Sequence, residues 1–253
     1  MLSAYKRGLI ILGLLVGFWL LSQTQCLAVN SDDTCYGDDT VLMLHLDNTS
    51  YTDESNSSHS PTATSMTADT SSYKFAAGSL EYTSTTSHLN MSDSDDWDFG
   101  TGDFTIDFWF KVPASDHQLI MTDGGETDWV MCYFQPGAIK CRIEASTTIT
   151  GSATLTTGTW YHIALVRDSG TLDIYVDGVS KYSGTQSADI DNGTNDIVIG
   201  RSSSSPFLGT VTTARIDEFR IVKGAAIWTS NFTAPSAAYT ECGAAFLPKM
   251  EII

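Results

Sequence analysis

The stretch Phe104-Thr105-Ile106-Asp107-Phe108-Trp109-Phe110 decides the fold class. Successive side chains of an extended chain point to opposite faces, so Phe104, Ile106, Phe108 and Phe110 share one face while Thr105, Asp107 and Lys111 share the other. An apolar face opposite a polar one predicts a strand with one side in a core and the other toward water. Val41-Leu42-Met43-Leu44-His45-Leu46, Trp160-Tyr161-His162-Ile163-Ala164-Leu165-Val166, Leu172-Asp173-Ile174-Tyr175-Val176 and Ile197-Val198-Ile199 are further runs of strand length and β-rich composition. Asp168-Ser169-Gly170 reads as a hairpin turn and Asp177-Gly178 opens the next, with residues that tolerate positive φ. Short strands and turns recurring from end to end predict an all-β sandwich of antiparallel sheets. Helix is expected only as a turn or two near Ala225-Ala226-Ile227-Trp228, and the Ser/Thr-rich stretch from Asn48 to Ser72 reads as a loop broken by one strand near Thr62 to Thr67.

Composition narrows the partners. The 253 residues carry 13 Lys+Arg against 30 Asp+Glu. Phosphate neutralisation needs clustered basic side chains, so nucleic acid is excluded as a partner. Ser and Thr together number 61, against only 17% charged residues, so the surface is built of hydroxyls and carboxylates. At the N-terminus, Lys6 and Arg7 precede an apolar run from Gly8 to Leu21, followed by Gln23-Thr24-Gln25 and Cys26-Leu27-Ala28. This order reads as a secretory signal peptide over residues 1–28. The apolar run is shorter than the ~20 residues of a spanning helix, so no membrane association is expected after its removal. Cleavage would take two basic residues and no acidic one, deepening the formal charge from −17 to −19.

Four cysteines remain beyond residue 28: Cys35, Cys132, Cys141 and Cys242. Cys132 and Cys141 flank a Pro136-Gly137 turn; with the turn centred between those two residues, they fall directly opposite on a non-hydrogen-bonded rung, where Cα atoms approach to about 4.5 Å. That pairing leaves Cys35 to join Cys242 and tie the ends of the domain together, as an exported chain permits.

Four segments in order resemble the laminin-G-like, concanavalin A-like lectin/glucanase superfamily. They are Val41 to Asp47; Phe99-Gly100-Thr101-Gly102-Asp103 running into Phe104 to Trp109; Gly158-Thr159-Trp160 through Arg167 and on to Tyr175-Val176-Asp177-Gly178; and Ile216-Asp217-Glu218-Phe219-Arg220-Ile221. Lys74 to Leu80 and Trp228 to Pro235 are similar to the superfamily's short early strand and its closing segment. The resemblance implies a jelly-roll sandwich of two antiparallel sheets, here a single domain over residues 29–242 with a tail at 243–253 that ends apolar, as a docking segment would.

Within such a fold the first chemistry to test is glycoside hydrolysis, which needs two carboxylates flanking the scissile bond. No Glu-x-Asp-x-x-Glu triplet occurs; Asp107 stands alone, Asp173 and Asp177 lie four apart, and Asp217 and Glu218 are adjacent and so point to opposite faces of a regular strand. No Gly-x-Ser-x-Gly elbow is present, and His45, His59, His88, His117 and His162 lack motif context, so no enzyme is expected. A one-residue slip in alternation at Asp217-Glu218 suggests a bulge that re-aims these acids. The resemblance places them near Asp47, where a structural Ca²⁺ would take Asp47, Asp217 and Glu218 together with carbonyls such as those of Gly78-Ser79.

For ligand stacking, Trp97, Trp109, Trp160 and Trp228 fall where the resembled family has packed aromatics. Trp129 lies outside those positions, and with Tyr133 at i, i+4 it would form a platform on the sheet surface, against the favoured alternative that both simply pack. Two functions follow: a secreted module that binds a glycan or an extracellular surface protein, or a self-assembling structural subunit of a surface layer, appendage or virion.

Overall fold

The computed structural model describes residues 35–242, apart from residue 76 and the segments 123–128, 145–147 and 201–213. The expected signal segment 1–28 and the expected tail 243–253 lie outside the described residues. Seventeen strands follow one another among the described residues. They are β1 (Cys35–Tyr36), β2 (Thr40–Leu44), β3 (Thr62–Thr64), β4 (Met66–Asp69), β5 (Ser79–Tyr82) and β6 (His88–Met91), then β7 (Phe104–Lys111), β8 (His117–Thr122), β9 (Val130–Gln135), β10 (Ala138–Ile143) and β11 (Ile149–Ser152). The remainder are β12 (Trp160–Asp168), β13 (Thr171–Val176), β14 (Val179–Thr185), β15 (Ile197–Gly200), β16 (Arg215–Lys223) and β17 (Thr240–Glu241).

The large sheet runs β14-β13-β12-β7-β16-β5-β4, with β2 also paired to β16; the second runs β11-β10-β9-β8-β15-β6-β3. All pairings within the two are antiparallel. Between them lies one apolar core. Phe104, Ile106, Phe108 and Phe110 of β7 meet Ile163 and Leu165 of β12 and Phe219 and Ile221 of β16, and face Val130, Cys132 and Phe134 of β9 and Ile197 and Ile199 of β15. The turns are those their residues favour: Ser169 and Gly170 have φ of +48° and +79°, and Asp177 and Gly178 have +48° and +72°.

The expected strand near Thr62 to Thr67 is two strands. Ser65, at φ +48°, breaks it, sending β3 to the second sheet beside β6 and β4 to the large sheet beside β5. A regular strand cannot serve both sheets, and a single left-handed residue provides the crossing.

The expected water-facing side of β7 is also buried. Thr105 and Asp107 are fully enclosed and Trp109 nearly so. A strap from Ala225 to Tyr239 covers that outer face as a third layer, packing Trp228 and Phe232 against Ala164, Val166 and Tyr175, while Tyr239 packs with Met43 and Tyr36. Thr105 anchors it: its Oγ1 donates to the Ala225 carbonyl at 3.1 Å and accepts from the Ile227 N–H at 2.9 Å. Because those strap groups bond across to β7, no helical turn forms at 225–228. Phe232 N–H donates to the Gly178 carbonyl at 2.9 Å, and a Cβ at Gly178 would overlap the Phe232 backbone, so the Asp177-Gly178 turn must end in glycine for the strap to seat.

Disulfides join Cys35 to Cys242, with Cα atoms 4.8 Å apart, and Cys132 to Cys141, 4.1 Å apart. The second bridges directly opposed residues of the β9–β10 hairpin around Pro136-Gly137. The first closes the strap onto β1, which pairs in parallel with β17 through Cys35–Thr240 and Tyr36–Glu241.

Candidate functional site

The bulge suggested by the parity slip is present in β16. Its register against β7 shifts between Asp217, opposite Trp109, and Arg220, opposite Asp107, and Glu218 sits at φ +51°. The extra residue lets the carboxyls of Asp217 and Glu218 converge on that of Asp47 just beyond β2: one oxygen from each lies within 4.8 Å of the others. The loop before β5 closes the site, since Lys74 and Phe75 N–H groups donate to Asp217 Oδ2 at 2.8 and 3.1 Å, and Ala77 donates a backbone hydrogen bond to Asp47. At Gly78 a Cβ would run into the Asp47 carbonyl, so the close approach of the two loops requires glycine.

The electrostatics of this site are unbalanced. Asp217 is fully buried, and burial pushes its carboxyl up to about 8, with Glu218 and Asp47 adding repulsion. Burial also raises Glu218 and Asp47. His45 is the cationic neighbour: its Nδ1 lies 2.9 Å from Glu218 Oε1, and that hydrogen bond lifts the imidazole to about 9. Glu218 Oε2 also accepts from Tyr239 N–H at 2.9 Å. Two oxygens remain without any partner in the interior, Asp47 Oδ1 and Asp217 Oδ1. Oxygens spanning 4.8 Å match opposite ligands of a cation bound at about 2.4 Å, so the donor set fits Ca²⁺.

The other strand carboxylates are engaged within the fold. Asp107 accepts from Arg220 Nε at 2.9 Å and lies 3.1 Å from His162 Nε2, with Tyr239 Oη donating as well. Burial alone would push Asp107 up, but the Arg220 guanidinium and His162 outweigh it and hold the carboxyl below the usual carboxylate range. His162, fully buried, is a packed residue of this layer, ringed by Trp109, Trp228 and Phe232. Asp173 accepts from Ser180 Oγ at 3.2 Å, and Asp177 Oδ1 from His162 N–H at 2.9 Å.

The Trp129–Tyr133 platform is corrected. Trp129 is 2% exposed, belongs to the main core beside Phe99, and donates from Nε1 to the Trp97 carbonyl at 2.6 Å. It precedes β9 with φ +100°, so the strand alternation that would put it on the Tyr133 face does not extend to it. Tyr133 lies on the opposite face of β9 from the core residues Cys132 and Phe134, in a small buried cluster with Met131 and Val198.

Sequence reading missed the network of Asp107, His162, Arg220 and Tyr239. The signal was present as Asp107 and Arg220 amid apolar neighbours, two charges at buried-strand spacing that require one another.

Comparison with curated proteins gives no match. Among solved structures, the binding domain of Paraclostridial Mosquitocidal Protein 1 superposes with a TM-score of 0.61 at 16% identity, over 75% of this chain and 50% of that one. The binding domain of Botulinum neurotoxin serotype D gives 0.57 at 14% identity, over 75% and 49%. The chain thus spans about half the length of these toxin domains. Domain 4 of AbnA, a GH43 extracellular arabinanase from Geobacillus stearothermophilus solved with arabinotriose, gives 0.56 at 16% identity over 74% of this chain and 93% of that one. Residues 82–228 match the family profile described as the concanavalin A-like lectin/glucanases superfamily. With more than half of its length matched and the jelly-roll sheets in place, the chain belongs to that superfamily.

Proposed function

We propose that the protein is a non-catalytic extracellular recognition module that binds carbohydrate and is stabilised by Ca²⁺. The observation that carries the reading is the use of its strand carboxylates. Asp107 lies sealed beneath the strap, Asp173 and Asp177 hold neighbouring strands, Asp69 and Glu81 pair with Arg215, and Asp217 and Glu218 converge with Asp47 as one oxygen cluster. A glycosidase needs two carboxyls facing each other across a substrate cleft, about 5 to 9.5 Å apart. The fold-level likeness to a domain solved with arabinotriose, over 93% of that domain, supports carbohydrate as the ligand class. The two cysteine bridges favour an oxidising location.

Asp47, Asp217 and Glu218 would hold the ion, which supplies the positive charge that Asp47 Oδ1 and Asp217 Oδ1 lack. EDTA is expected to lower the melting temperature and excess Ca²⁺ to restore it, with Asp217→Asn reducing the response; a melting curve indifferent to both removes calcium from the proposal. Recognition is tested on a glycan array that includes arabino-oligosaccharides and ganglioside glycans. Retention without release of reducing sugar is expected. A large ordered oligomer by light scattering with no glycan retained would instead establish the assembly role, and hydrolysis of any array sugar would establish an enzyme.

A further inference from the structure

A second oxygen cluster involves none of the triad residues. It is built on Asp189-Ile190-Asp191-Asn192-Gly193-Thr194-Asn195-Asp196 and on Asp98, which follows the 3-10 turn Asp95–Trp97. Gly100 and Ile190 exchange both backbone hydrogen bonds at 2.9 Å, locking the two loops together. Fully buried Arg167 fixes them from within, donating to the carbonyls of Gly100 at 2.7 Å and Ala188 at 2.9 Å. The bridge brings the carboxyls of Asp98 and Asp191 within hydrogen-bonding reach of each other. Two carboxylates in contact need a proton or a cation between them.

Asn192 provides a separate observation. It is fully buried, its N–H donates to Asp98 Oδ1 at 2.8 Å, and its Nδ2 donates to Asp93 Oδ1 at 3.2 Å and to the Asn195 carbonyl. Its Oδ1 is buried with no hydrogen-bond partner, on the residue whose N–H is bound to Asp98. Flipping the amide would set that oxygen against Asp93 and the Asn195 carbonyl, so the orientation is fixed. A buried amide oxygen without a donor calls for an unseen water or cation. Asp196 accepts from Asn90 Nδ2 and Asp93 N–H, Asp191 Oδ1 from Gly193 N–H, and Glu144 Oε1 from Asp191 N–H. The basic group facing Asp98 is Lys223, whose Nζ is held by the Asp95 carbonyl.

We propose that Asp98, Asp191 and Oδ1 of Asn192 hold a second hard divalent cation, Ca²⁺, at the rim of the sandwich. All-oxygen donors, two of them anionic, match that ion, and water completes its shell.

Equilibrium dialysis of Ca²⁺ against the wild-type chain and against Asp98→Asn, Asp191→Asn and Asp217→Asn tests it. Asp98→Asn and Asp191→Asn should each weaken one equivalent at least tenfold and leave the Asp217-dependent equivalent unchanged. If the triad binds nothing, the wild-type chain still binds one equivalent, which Asp217→Asn keeps and Asp191→Asn loses, so the two failures are distinguishable. The proposal is overturned if both rim variants bind as the wild type does, or if Asp217→Asn binds no Ca²⁺. It is also overturned if Asp191→Asn raises the melting temperature in saturating Ca²⁺, the outcome of relieving simple repulsion.

Discussion

Replacing Cys35 and Cys242 by Ala removes a cross-link spanning 207 residues, whereas replacing Cys132 and Cys141 removes one spanning 9. In the chain-entropy account the stabilisation grows with the logarithm of the closed loop, giving about 5 kcal/mol for the long bridge and about 3 kcal/mol for the short one at 25 °C. Local geometry widens the difference. The hairpin keeps its six register pairs from Ala138–Gln135 to Ile143–Val130 without its bridge, while β1 and β17 share only two. Without this bridge, Tyr239 can lift from Asp107 and Glu218, and water reaches the Arg220 pair beneath it. A loss of that size is a large share of a domain's usual 5–15 kcal/mol, so the Cys35→Ala/Cys242→Ala protein should be partly unfolded at 37 °C. Urea titration of the two double variants without reductant, followed by tryptophan fluorescence, measures both losses. A hairpin variant that loses as much stability as the long-bridge variant, or more, would refute the reasoning.

Further outcomes follow from single sites. Gly178→Ala should cost at least about 3 kcal/mol in urea unfolding, because its Cβ would overlap the Phe232 backbone at a positive φ, whereas Gly137→Ala, at φ +91° with open space around it, should cost about 1 kcal/mol. Burial between the rings of Tyr82 and Phe110 pushes His117 down from 6.5 to about 4. The unfolded chain therefore takes up the proton first, so stability is full above about pH 6.5 and falls by at most about 3 kcal/mol as pH drops toward 4. His117→Phe should flatten that part of the stability profile measured by urea titration. Trp129→Ala should cost about 3 to 5 kcal/mol by urea titration, since the indole fills the core against Phe99 and caps the Trp97 carbonyl.

The sheets were legible because their turns carry chemistry that works over four residues. Ser169-Gly170 and Asp177-Gly178 adopt the left-handed conformations their composition favours, and Pro136-Gly137 sets the register that opposes Cys132 to Cys141. The re-aiming of Asp217 and Glu218 was legible for a related reason, since an extra residue in a strand disturbs alternation and the disturbance shows there, whereas their approach to Asp47 was implied by the family resemblance alone. What could not be read depended on distant cover. Thr105, Asp107 and Lys111 alternate with aromatics as a solvent face does, and only residues 225–239, more than a hundred positions away, bury Thr105 and Asp107. The same cover decided 225–228, where bonds to Thr105 displaced the expected helical turn. Ser65 and Trp129 were illegible because a left-handed backbone at a non-glycine residue is imposed by the neighbours it connects.

The strap also sets an order of events during synthesis. Translation delivers β7, β12 and β13 before residues 225–242, so His162 and Tyr175 lack their aromatic cover in the growing chain until the closing segment arrives. A nascent chain halted near Lys223 would display an aromatic, charge-bearing surface that a holdase could grip, and release would await the strap and the thiol chemistry at Cys35 and Cys242.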